Sequence, residues 1–351
     1  MREIGSEFSL PQNLIPVCAE GNKTQDPLYN SAYHFATGRA ALYAILQKIK
    51  AQKKVKKAYL PDYCCYSMVL PFIDSGIEVS YYKTEFKNGS VEYKIDCNAD
   101  FDLFLSVSYF GFEASNQDKI VADLKSRGKT VVEDITHRLL NGKKTSADYH
   151  FASLRKWFPL LSGGVAFAED IQPPQAKLSA EYINLRRSAM EKKSEYLLTG
   201  EQDANLKAQF LAEFSAANKI LCSDYKGRAI DNLSLKILNS IDKTQIAEKR
   251  YQNAEILYNR LNGRVEFMFG LSKTDVPLFV SIVLKDKLER DAMRSALTKN
   301  GIYCPVHWPN EIGSDNPIFD RELSLIIDQR YNKDDMLRVA DIVEKSVNEN
   351  V

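Results

Sequence analysis

The stretch FASLRKWFPLLSGGVAFAED, residues 151–170, places one lysine, Lys156, between apolar runs. A glycine pair, Gly163-Gly164, follows, and then a short strand-like run. Lysine is rarely buried unless its ammonium is paired or chemically used. Lys156 therefore either snorkels from a loop or supplies a nitrogen the protein needs. A lysine amine becomes a nucleophile toward carbonyls when burial or a nearby cation lowers its pKa, and Arg155 is its neighbour in sequence. The glycine pair lets backbone approach a ligand closely. Taken by itself, the stretch fits a loop lysine near an interface better than a reactive amine.

Working outward, residues 35–170 alternate helix and strand signals. GRAALYAILQKIKAQKK (38–54) has apolar residues at helical spacing and a basic last turn. KAYLPD reads as a strand stopped by Pro61, YSMVLPFIDSG as a helix closing on Gly76, and IEVSYYK as a strand. DLFLSVSYF (102–110) is a near-continuous apolar run, as for a strand buried on both faces. NQDKIVADLKSRG reads as a helix capped by Gly128, and KTVVED as the next strand. YHFAS and GVAFAED are expected to pair around the loop that holds Lys156. This alternation predicts an α/β fold with a largely parallel sheet. Residues 175–220 read as charged helix and 230–263 as one long helix. DVPLFVSIVL, KLERDAMRSALTKNG, IYCPVHW and KDDMLRVADIVEKSV then read strand, helix, strand, helix, a smaller α+β unit.

Composition narrows the function. The 351 residues suit two domains. Forty-seven Lys plus Arg nearly cancel 46 Asp plus Glu, which argues against nucleic acid or an acidic membrane as partner. The six cysteines (18, 64, 65, 97, 222, 304) have no metal-ligand spacing and read as reduced thiols, so no metal is expected. The N-terminus lacks the apolar core of a signal peptide, and no apolar run approaches the ~18 residues of a membrane span. A cytoplasmic protein acting on small molecules is expected, in which the triplets NKT (22) and NGS (88) are not glycosylated.

Two further local signals bear on chemistry. In FATGRAALYAIL a turn at Thr37-Gly38 feeds a helix, whose N-terminus can hold phosphate. In VVEDITHRLL a buried strand ends in Glu133-Asp134, and His137 follows three residues later. Ligands of open α/β sheets bind beyond the carboxyl ends of strands. Each signal has a bland reading: a glycine turn, or an acidic strand end with a surface histidine. In the order phosphate cradle, carboxylate, lysine they are the groups that pyridoxal phosphate (PLP) requires.

With these residues in hand, the chain resembles the DegT/DnrJ/EryC1/StrS aminotransferases. The resemblance rests on TGRAAL, LPDYCCYSMVLPFIDSGIEVSYY, VSYFG (107–111), VVEDITHRL, the K…SGGVAF segment, GIYCPVHWP (301–309) and LSLIIDQRY (323–331). It implies the PLP-dependent fold type I of aspartate aminotransferase. Residues 1–230 would be a large α/β domain with an N-terminal arm and a mostly parallel mixed sheet, and 231–351 a small α+β domain. It implies Lys156 as the Schiff-base lysine, Asp134 on the pyridine nitrogen and His137 on the 3′ oxygen. It implies backbone at Gly38, Arg39 and Ala40, with the Ser153 hydroxyl, on the phosphate. The ring-stacking position falls on Cys65, flanked by Tyr63 and Tyr66. Arg39, Cys65 and Leu161 depart from the family pattern, as does the bulk of Arg155 and Trp157 around the lysine.

The activity implied is transfer of an amino group from an amino acid, glutamate or glutamine, to a keto-sugar or similar ketone, by a homodimer, in the setting of sugar or polysaccharide biosynthesis. Two alternatives are a PLP enzyme of another reaction type, such as a dehydratase or isomerase, and a non-catalytic binding module. The family's dehydratases replace the lysine that is present here. His307 reads either as a substrate-facing or as a packed core histidine; His34 and His150 have no role assigned.

Overall fold

The structure is a computed structural model that describes residues 2–10, 32–96, 98–112, 116–142, 145–174 and 176–349. Cys18, Cys97 and the NKT triplet lie outside them. In chain order the elements are β1 (Ile4–Gly5), β2 (Ala32–Phe35), α1 (Gly38–Gln52), β3 (Lys57–Pro61), α2 (Tyr66–Asp74), β4 (Glu78–Lys87), β5 (Ser90–Lys94), β6 (Leu103–Val107), α3 (Gln117–Ser126), β7 (Thr130–Asp134), β8 (Tyr149–Ser153), β9 (Gly164–Phe167), α4 (Ala180–Leu198), α5 (Ala204–Ser223), α6 (Asn232–Ser240), α7 (Lys243–Leu261), β10 (Glu266–Phe267), β11 (Phe279–Val283), α8 (Lys287–Lys299), β12 (Ile302–Tyr303), α9 (Ile318–Arg321), β13 (Glu322–Ile326) and α10 (Lys333–Glu349). They form two compact units, and the division differs from the expected split at 230/231. Unit one comprises 1–2, 7–54 and 149–241; unit two comprises 3–6, 55–148 and 242–351.

In unit one, β9 pairs antiparallel with both β2 and β8. The expected pairing of YHFAS with GVAFAED is therefore present. Helix α1 buries Ala41, Leu42, Ile45, Leu46 and Ile49 and packs on β8 and β9. Helices α4 and α5 pack on each other. Tyr182 lies with Ala217 and Leu221 while Tyr196 meets Phe210, so the two run antiparallel. The expected single helix over 230–263 is two helices. Asp242 caps α7 by accepting the Gln245 N–H (3.0 Å), a start signal inside the apolar periodicity.

In unit two the strand order is β7-β6-β3-β4-β5, parallel except for β5. The β4–β5 hairpin turns on Asn88-Gly89, whose φ values of 54° and 70° are those of a type I′ turn. The pattern reading gave that asparagine no structural part. The apolar run 102–110 is strand only through Val107; Phe110 (φ 53°) and Gly111 (φ 97°) turn the chain out of the sheet. A Cβ on Gly111 would sit 2.2 Å from the Val276 carbonyl oxygen, so glycine is required there. A second sheet, β10-β11-β13, is antiparallel and carries α7, α8 and α10 over a core that includes Leu257, Val280, Met293, Leu325 and Val339. The expected strand IYCPVHW shrinks to Ile302–Tyr303, paired in parallel with β1. Among the described residues no helix is long and apolar enough to cross a membrane.

Candidate active site

The candidate residues divide between the units. Gly38, Arg39, Ala40, Ser153 and Lys156 belong to unit one; Cys65, Tyr66, Asp134 and His137 belong to unit two. Each group is built by its own unit.

In unit one the Thr37-Gly38 turn is pressed against the strands beneath it. The Gly163 N–H donates to the Ala36 carbonyl (2.6 Å), and the Leu154 N–H to the Gly163 carbonyl (3.1 Å). A Cβ on Gly164 would fall 2.0 Å from the Thr37 carbonyl carbon, and one on Gly38 would fall 3.0 Å from the Ser153 nitrogen. The glycines thus bring the helix start, Ser153 and the strand after the lysine loop into backbone contact. Thr37 caps α1, its Oγ1 accepting the Ala40 N–H (3.0 Å). The amides of Gly38 and Arg39 open the helix, where no intrahelical acceptor exists. The free amides at the positive end of this 15-residue helix suit a phosphate.

Arg39 turns its side chain away from this backbone. Its guanidinium donates to the Cys222 carbonyl (3.3 Å) and lies 5.3 Å from the Tyr225 ring centroid. The bulk that departs from the family pattern is spent on the end of α5.

Ser153 ends β8, and Leu154–Lys156 form one 3-10 turn with Lys156 half-buried. The segment after it is pinned. Ser234 Oγ accepts from the Leu161 N–H (2.9 Å) and the Ser162 N–H (3.0 Å). The Ser162 hydroxyl donates to Asp231 (2.6 Å), and the Tyr182 hydroxyl donates to the Leu161 carbonyl (2.5 Å). Leu161 is buried, as are Trp157 and Phe158. Of the unusual bulk around the lysine, Trp157 is therefore core, while Arg155 is half-buried.

In unit two, parallel pairing sets Val107 beside Asp134, so β6 and β7 end together. Alternation then separates the two carboxylates. Glu133 is fully buried and spoken for: Ser108 Oγ (2.8 Å), Gln117 Nε2 (3.0 Å) and Thr145 Oγ1 (2.6 Å) all donate to it. Asp134 is also buried, and its Oδ1 accepts the Thr136 N–H (2.8 Å), which orients the carboxylate.

His137 sits in the 3-10 turn Thr136–Arg138. Its Nδ1 accepts the Phe110 N–H (3.2 Å), so the neutral ring carries its proton on Nε2. Its ring stacks on Phe110 (5.1 Å) and Trp308 (5.9 Å) and meets His307 edge-on (5.9 Å, 70°).

Cys65 is the N-cap of α2, its Sγ 2.8 Å from Ser67 Oγ; Tyr66 is exposed. Tyr63, by contrast, is fully buried against Phe86, Tyr109, Trp308 and Phe319, and its hydroxyl donates to the His307 carbonyl. It is a core residue. Sequence pattern did not point to Phe110, Trp308 or Glu322 as neighbours of the histidines; these are contacts between elements distant in the chain.

No family model and no curated protein matches the sequence. Solved structures do match. Spr1654 of Streptococcus pneumoniae in its PLP form aligns over 99% of this chain and 100% of its own, at 12% identity and TM-score 0.66. The sugar aminotransferase CalS13 of Micromonospora echinospora aligns over 98% and 100%, at 14% identity and TM-score 0.64. A DegT/DnrJ/EryC1/StrS aminotransferase of Brucella abortus aligns over 90% and 85%, at 14% identity and TM-score 0.55. The chain has their fold, as the resemblance in its sequence implied.

Proposed function

We propose that this protein is a PLP-dependent aminotransferase. The observation that carries the reading is the lysine loop itself: a half-buried Lys156 beside a glycine-built helix start, in a chain with the fold of such enzymes. Bound, the cofactor supplies an electron sink and an aldehyde.

In this reading the Gly38 and Arg39 amides and the Ser153 hydroxyl would hold the phosphate; Ala40, expected beside them, has its N–H already given to the Thr37 cap. By the resemblance, Asp134 would keep the pyridine nitrogen protonated, His137 would offer Nε2–H to the 3′ oxygen, and Cys65 and Tyr66 would cover the ring. Lys156 Nζ would be the amine that holds the cofactor's aldehyde, and as a free amine it would take the proton from the substrate Cα as general base and return it as general acid. The donor is an amino acid, glutamate or glutamine, and the acceptor a keto-sugar, free or nucleotide-linked, or a similar ketone. The protein works as a cytoplasmic homodimer.

The test is the visible spectrum of the purified protein before and after borohydride, beside Lys156→Ala. A yellow protein that borohydride bleaches and fixes to Lys156 supports the reading. A protein that stays colourless with added PLP overturns it and leaves the fold as a binding module.

A further inference from the structure

We propose that Glu322, acting through Ser324, holds His307 as an imidazolium, and that this fixed charge keeps the adjacent His137 neutral. All four residues lie in unit two.

Glu322 opens β13 and is fully buried. Its Oε2 accepts the His307 backbone N–H (2.6 Å), and its Oε1 accepts the Ser324 hydroxyl (2.5 Å). Both oxygens accept, which is the arrangement of a carboxylate. A buried carboxylate needs a counter-charge. Arg321, adjacent in the chain, donates its Nε to the Leu284 carbonyl (2.7 Å) and turns its Nη2 toward Glu266, and Arg290 donates its Nε to Asp291 and its Nη1 to the carbonyls of Phe319 and Glu322. Among the described residues the base within ion-pair distance of the Glu322 carboxylate is His307, with Nδ1 3.6 Å from Oε1.

Proton counting agrees. Ser324 has one hydroxyl proton, and Glu322 takes it. Ser324 Oγ must therefore accept at its 3.0 Å contact with His307 Nδ1, and it can also accept from the Ser281 hydroxyl at 2.9 Å. His307 Nδ1 then carries a proton, as it does in the neutral Nδ1–H tautomer as well as in the imidazolium; the 3.6 Å approach of Nδ1 to the Glu322 carboxylate favours the charged form. The histidine is also fixed by its carbonyl, which accepts the Tyr63 hydroxyl. Backbone nitrogen, backbone oxygen and ring are each tied to a buried partner, more than a packing histidine needs. Tyr63 and Cys304, the other titratable groups close by, are raised by burial, Cys304 up to about 12, and stay neutral.

His137 lies on the other side, 5.9 Å between ring centroids. A positive neighbour disfavours a second cation. The Phe110 N–H also needs a lone pair on His137 Nδ1. Both effects hold His137 as the Nε2–H tautomer. The charge assignment stands without a cofactor; its value for catalysis rests on the reading that His137 faces the 3′ oxygen. Glu322 and Ser324 would be positioning residues.

The experiment is nitrogen-15 NMR of histidine-labelled protein without added cofactor. With four histidines in the chain, His307→Gln and His137→Gln assign the signals. At pH 7.5 we expect His307 to show both nitrogens protonated and His137 only Nε2. Glu322→Gln should lower the His307 titration midpoint by about 1 pH unit or more and raise that of His137. Ser324→Ala should shift both in the same directions by less. A neutral His307 in the wild type overturns the proposal, whether or not the Glu322 variant folds. Unchanged midpoints in a folded Glu322→Gln overturn it too. Failure of borohydride capture would leave this result standing, so the two readings fail separately.

Discussion

Gly164 lies so close to Thr37 that a methyl group on residue 164 would fall 2.0 Å from the Thr37 carbonyl carbon and 2.5 Å from the Gly38 nitrogen. The clash is with backbone, not with the end of a flexible side chain. Relief requires α1 to move off the strands. Gly164→Ala should therefore destabilise by at least the ~1–3 kcal/mol typical of overpacking, and should weaken PLP binding more than it lowers the melting temperature of the apo form. Thermal melts with and without PLP check this. An unchanged gain in melting temperature on adding PLP would show that the helix start does not hold the phosphate.

The loop after Lys156 hangs on one hydroxyl. Ser234 Oγ receives two backbone N–H groups, from Leu161 and Ser162. Ser234→Ala leaves buried donors without an acceptor, at a cost of about 1–3 kcal/mol. Chemical denaturation should show that loss, and hydrogen exchange should show it first at residues 157–163. Protection unchanged there would mean that the loop is held by its buried Leu161 and Trp157 instead.

Glu7 gives unit one an acid-sensitive contact. Burial pushes its pKa up, but the charge of Arg186 and its 2.8 Å hydrogen bond, with Arg155 and Lys193 behind, hold it down at about 2 against an ordinary 4.5. A carboxylate lowered on folding adds stability that is full above its unfolded pKa and is lost as pH falls through the folded one. The melting temperature should therefore fall between about pH 5 and pH 2, and Glu7→Gln should lower it at pH 7 and flatten that slope. Parallel wild-type and variant curves would count against the pair.

The cysteines should differ in reactivity. Burial pushes the Cys64 thiol well up and Cys304 up to about 12, while Cys222 is exposed. The thiolate is the reactive species. Iodoacetamide at pH 8, read by peptide mass spectrometry, should label Cys222 within minutes and spare Cys64 and Cys304 until the protein unfolds. Early labelling of Cys304 would contradict its burial.

Much of the architecture was legible because its signals are local. The helical spacing in 38–52, the glycine ends at 76 and 128 and the strand pair around Lys156 all depend on neighbours a few residues apart. The same holds for the order of glycine turn, Asp134, His137 and Lys156 that suggested the cofactor. Two local signals were present but unread: Asn88-Gly89 as a hairpin turn and Asp242 as a helix cap.

Tertiary structure alone decided the roles of identical residue types. Nothing in VVED separates Glu133 from Asp134 until Ser108, Gln117 and Thr145 fold onto the first. Tyr63 looks like Tyr66 in a string of letters, yet one is core beneath Trp308 and the other is exposed. His307 acquires a buried carboxylate only because β13 brings Glu322 and Ser324 beside it. Pattern along the chain fixes which backbone a segment prefers, since that depends on its own side chains. What a side chain does depends on the charge and donors that distant segments bring to it, and the sequence does not carry those distances.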